Sequence, residues 1–62
     1  MYWLITYQQN TGRQYKLANA ATDIHPADWL LKTEMRDHAE TVIIFSLEIS
    51  LEQYNNLAKI FG

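Results

Sequence analysis

Thr41-Val42-Ile43-Ile44-Phe45-Ser46-Leu47-Glu48-Ile49-Ser50-Leu51-Glu52-Gln53-Tyr54 decides the fold of this chain. Its first nine residues are dense in β-branched and apolar side chains and read as a strand. Ile43, Phe45, Leu47 and Ile49 predict one apolar face, and Val42 with Ile44 makes the other face half-apolar. Ser50, with Gln53 three residues later, has the capping-box pattern, so a helix starts almost directly from the strand. Leu51, Tyr54, Leu57, Ala58 and Phe61 share a broad side of that helix, with Glu52, Asn55, Asn56 and Lys59 outward and Gly62 as the last residue.

Upstream, His25-Pro26-Ala27-Asp28-Trp29 opens another helix. Proline suits the first helical position, where its missing N–H costs nothing, and Asp28 sits near the positive end of the helix dipole. At about 100° per residue, Ala27, Leu30, Leu31, Glu34 and Met35 form the stripe predicted to pack on a sheet. Trp29, Lys32, Thr33 and Arg36 then fall on the outer side, and the helix fades around Asp37 to Ala39. The chain begins with an aromatic strand, Tyr2 to Gln8. Gln9-Asn10-Thr11-Gly12 follows as a turn with a three-residue loop and a bulge, then Arg13 to Ala20 as a second strand and Ala21 to Ile24 as a connection. Setting Tyr7 opposite Tyr15 and Ile5 opposite Leu17 gathers Trp3, Ile5, Tyr7, Tyr15 and Leu17 on one face.

The order strand, strand, helix, strand, helix makes a small α+β domain, ββαβα, over residues 1–62. A single helical crossover makes the second and third strands parallel, and the first is antiparallel to both. The predicted sheet order is 2-1-3, with the first strand central and both helices on one face; 1-2-3 is the rival.

The composition is globular: 48% hydrophobic and 19% charged, which argues against disorder. There is no cysteine, which excludes a disulfide scaffold, a thiol nucleophile and cysteine-rich zinc sites. No apolar run approaches the roughly 20 residues that span a bilayer, and no leader pattern precedes the first strand, so a soluble cytoplasmic protein is expected. A net charge of −2 offers no general attraction to nucleic acid or anionic lipid. A monomer of this mass would expose about 4,200 Å². Apolar burial of about 96 kcal/mol then meets an ordering cost of about 93 kcal/mol, a near balance that a second copy or a partner would improve.

Chemistry finds little support. His25 and His38 bracket the whole first helix, about 18 Å of rise, too far apart for a shared metal. His25 instead shapes the start of the helix, and His38 lies near its C-terminal dipole. The seven carboxylates are scattered, Ser50 is explained as a cap, and two glycines make no phosphate loop. The expectation is a non-enzymatic protein with no catalytic residue, metal or cofactor.

Two surfaces could bind a partner. The outward sheet face carries Tyr2, Leu4, Thr6, Ala18, Ala20, Val42 and Ile44, a contiguous apolar end with a polar rim and a candidate homodimer interface. The second is the helix ridge of Trp29, Lys32, Thr33 and Arg36, which could meet an acidic protein or a phosphate backbone. A protein-interaction module, working as a homodimer through the sheet face, is the leading expectation. A nucleic-acid-associated regulator using the ridge is the alternative, although five bases against seven acids is poor support for it.

Met1-Tyr2-Trp3-Leu4-Ile5-Thr6-Tyr7, His25-Pro26-Ala27-Asp28-Trp29-Leu30 and Ile43 to Ser50 leading into Glu52-Gln53-Tyr54 together resemble short stand-alone uncharacterised proteins of phages, prophages and other mobile elements. That resemblance implies binding of a host or phage macromolecule, sometimes to inhibit host defence, and transfers no catalytic residue.

Overall fold

The computed structural model describes residues 1–61; Gly62, the expected last residue after the second helix, lies outside the described residues. The elements are β1 (Tyr2–Asn10), β2 (Tyr15–Thr22), α1 (Pro26–Asp37), β3 (Glu40–Ile49) and α2 (Leu51–Phe61). β1 is central and antiparallel to both neighbours, giving the order β2-β1-β3 and the small α+β domain predicted above. β2 and β3 run parallel, so no tight hairpin can join them and α1 makes the crossover.

The hairpin differs from the sequence expectation. β1 continues to Asn10, and the loop Thr11 to Gln14 is closed by the Thr11 N–H donating to the Gln14 carbonyl at 3.0 Å, with Gly12 at φ 82°. Ile5 therefore lies opposite Ala20, Tyr7 opposite Ala18 and Asn10 opposite Tyr15. This slides the expected pairing by three residues, and an odd slide turns every β2 side chain to the other face. β2 has alanines on both sides, so alternation specifies its facing weakly. Pairing bulky Ile5 and Tyr7 with Ala20 and Ala18 avoids overfilling the face that also receives Trp29.

β3 carries a bulge: Thr6 lies opposite Phe45 and Tyr7 opposite Ile43, leaving Ile44 as the extra residue. Val42, Phe45, Leu47 and Ile49 consequently share the side of the even-numbered β1 residues, and Ile43 points with Tyr7.

The helices take opposite faces, where the sequence reading put both on one. α1 lies over the odd-numbered β1 residues. The His25 ring is 5.4 Å from Trp3, Trp29 meets Tyr7 edge-on at 4.9 Å, and the Gln9 amide donates to Asp37 at 2.7 Å. α2 lies on the other face, where Tyr54 is 4.7 Å from Tyr2, and it leans toward β2. Ile49 and Tyr2 face each other there and are the last pair of the sheet, so the one-residue connection through Ser50 brings α2 down on their side.

α1 is also rotated by about 100° from the predicted stripe. Pro26, Trp29, Leu30, Thr33 and Asp37 approach the sheet; Thr33 is only 3% exposed, while Leu31 and Met35 are 60% and 68% exposed. The ring contact of Trp29 at one end and the Gln9–Asp37 bond at the other fix this rotation. His25 caps the helix as expected, its Nδ1 accepting from the Ala27 N–H at 3.1 Å. His38 ends it in the left-handed region at φ 51°, its N–H donating to the Glu34 carbonyl at 2.9 Å. The capping box of α2 is present, with the Ser50 N–H donating to Gln53 Oε1 at 2.9 Å and the Gln53 N–H donating to Ser50 Oγ at 3.1 Å.

Among the described residues Ile5 is the one large side chain fully buried; Ala39 and Ile49 complete the apolar core. Gln9, Thr22, Thr33 and Thr41 are buried beside them.

Candidate functional site

The face that α2 shares is the surface most in need of a partner. α2 covers the end holding Tyr2 and Ile49. Beyond it the pairing sets three columns side by side. β1 supplies a polar column of Thr6, Gln8 and Asn10. β2 flanks it with Leu17 and Tyr15, and β3 with Leu47, Phe45 and Val42. The five apolar side chains of the two outer columns are all about half exposed or more, from Leu47 at 49% to Tyr15 at 72%.

The polar column is partly satisfied from within. Thr6 Oγ1 donates to Asn19 Oδ1 at 2.6 Å. Gln8, Asn10, Tyr15, Glu40 and Val42 line a shallow cavity of about 170 Å³ at the open end of the face, and the buried Asn10 Oδ1 has no hydrogen-bond partner. Glu40 is the single charged residue that the register places on this face.

Of the residues predicted for the sheet interface, Tyr2, Leu4, Thr6 and Val42 do lie on this face, with Tyr2 beneath Tyr54. Ala18 and Ala20 do not: the three-residue slide puts them on the α1 face, and Ala21 takes the place opposite Leu4. Ile44 is exposed at the bulge. Alternation places Tyr15, Leu17, Phe45 and Leu47 on the apolar faces of their strands, yet all four are exposed. One signal could have found them. Setting Tyr15 and Leu17 on the same side as Trp3, Ile5 and Tyr7 crowds five large side chains over a short hairpin, whereas alanines opposite Ile5 and Tyr7 alternate large with small.

The helix ridge is not a continuous surface. Thr33 is buried and Trp29 is half-buried against Tyr7, so both leave the outer side. Lys32 remains exposed. Arg36 grips Asp37 through Nε at 2.8 Å and Nη2 at 3.1 Å. Those bonds, with the one from Gln9, hold the Asp37 carboxyl down at about 2, and the same pairing raises Arg36.

No group of three or more His, Asp or Glu among the described residues could hold a metal ion, and none of the described helices is long and apolar enough to cross a membrane. The chain exposes 4570 Å², several hundred Å² more than the about 4,200 Å² expected of a compact monomer of its mass. Compared with known proteins, the chain matches no family model, no curated protein and no solved structure.

Proposed function

We propose that this protein acts by binding and not by chemistry: a small cytoplasmic protein-interaction module whose partner covers the sheet face beyond α2. One observation carries the reading. A chain with a single fully buried large side chain among its described residues leaves Tyr15, Leu17, Val42, Phe45 and Leu47 exposed on one face whose single charged residue is Glu40. Monomeric proteins rarely leave a contiguous apolar patch of more than a few hundred Å² in water, and larger ones mark interaction sites. The resemblance to short phage and prophage proteins supports the same reading through the habit of such proteins, the binding of a host or phage protein. The nucleic-acid alternative has weaker support, because Arg36 is tied to Asp37 and Thr33 is buried.

Site-specific photocrosslinking tests the proposal. A benzophenone amino acid placed at Phe45 or Leu17 should yield a protein adduct of defined mass in cells. The same group at the exposed Asn55 on α2 should yield none. No adduct from either sheet position, in chains that keep their far-UV signal, refutes the interaction reading.

A further inference from the structure

We infer that the surface covering this face is a second copy of the same chain, stacked face to face with its strands antiparallel to those of the first. This rests on the proposal above that the face is an interaction surface, and it names the occupant.

Charge and area select the occupant. The face holds no Lys or Arg and a single carboxylate, Glu40, at its open corner. Nothing on it would recognise a phosphate backbone, an acidic peptide or an anionic membrane. At about 200 Å² for a large side chain, the five exposed apolar residues leave on the order of 500 Å² in water. The polar column between them raises the area to about 700 Å², close to the about 800 Å² that each partner contributes to a standard stable interface. A single extended peptide would cover one apolar column and leave the other wet, because the polar column of Thr6, Gln8 and Asn10 separates them.

The position of α2 selects the arrangement. Helices and sheets both pack about 10 Å above a sheet, so α2 and an incoming sheet occupy the same layer. A parallel stack would drive one α2 into the other. An antiparallel stack sets each α2 beyond the open end of the opposite sheet, and the two uncovered regions meet in full. A two-fold axis lying between the sheets and crossing the strands between Phe45 and Val42 produces it. The Val42–Phe45–Leu47 column then rests on the same column of the second copy, Tyr15 and Leu17 meet the second copy's β2, and polar column faces polar column. The surface is thus self-complementary, as an isologous interface requires.

Light scattering on the full chain over a hundredfold dilution series reads the result, with Phe45→Glu, Leu17→Glu and, as a control on the outer side of α1, Leu31→Glu. The expected mass is twice the 7.3 kDa of one chain. Phe45→Glu and Leu17→Glu should each weaken the dimer by about tenfold or more, since each brings like charges together in an apolar contact. Leu31→Glu should leave it unchanged. Leu17 lies at the middle of the proposed contact on β2, so a dimer that withstands Leu17→Glu is joined through another surface and overturns the stack. In the wild-type chain, isotope-filtered NMR should show the Phe45 ring close to the Val42 methyls of the other copy, a result that needs no variant to fold. A monomer at every concentration overturns the inference. If Phe45 then crosslinks to a different protein, the interaction reading survives without it.

Discussion

Ile5→Ala probes the centre of the domain. Ile5 is 0% exposed on the central strand, paired with Ala20 on one side and Ser46 on the other. The change removes three carbons, worth about 2.4 kcal/mol at about 0.8 kcal/mol per buried methylene. Neighbours that cannot collapse add a cavity cost, which brings the loss to about 3–4 kcal/mol. A domain of this length has about 3–9 kcal/mol of stability in all, so the variant should be marginal or unfolded at room temperature. Urea titrations followed by far-UV circular dichroism, at two protein concentrations tenfold apart, measure the loss. The midpoint should fall by the same amount at both concentrations, because the deleted atoms lie inside one chain. A loss below about 1 kcal/mol would refute the reasoning, since surface positions cost within about 0.5 kcal/mol and core deletions several times more.

Two further outcomes follow from the ends of α1. His38 sits at φ 51°, where a Cβ costs about 1–2 kcal/mol that glycine avoids, less glycine's entropy penalty of about 0.5–1 kcal/mol. His38→Gly should therefore raise the Tm by about 4 °C, and an unchanged or lower Tm in differential scanning calorimetry would show that the imidazole holds the turn in another way. Asp37 is held at about 2 by Arg36 and Gln9, below its unfolded value of about 3.9. Its stabilising contribution is complete above about pH 4 and is lost as pH falls through about 2. Asp37→Asn should flatten the acid limb of the stability profile between those values, and a profile of unchanged slope would exclude the pair as its source.

The sequence by itself determined the elements, their order along the chain and the starts of the helices. Pro26 after His25, and Ser50 with Gln53, mark helix starts by local hydrogen bonding, which needs no tertiary partner. A single helical crossover made the second and third strands parallel and left the orders 2-1-3 and 1-2-3; the pairing of β1 with β3 decided for the first. Which side chains face which way was decided only by the tertiary structure. β2 bears alanines on both sides, so its pattern could not fix a register to within three residues, and an odd slide exchanged its faces. Ile44 broke the alternation of β3, because a bulge costs one residue of parity and alternation alone gives no sign of it. α1 turned by about 100° because the Trp29 ring on Tyr7 and the Gln9–Asp37 bond outweigh the exposure of Leu31 and Met35. Local pattern sets what each segment becomes, while contacts between segments set what it presents. The candidate interface belongs to the second kind, so the residues that build it, Tyr15, Leu17, Phe45 and Leu47, read as core until the strands are paired.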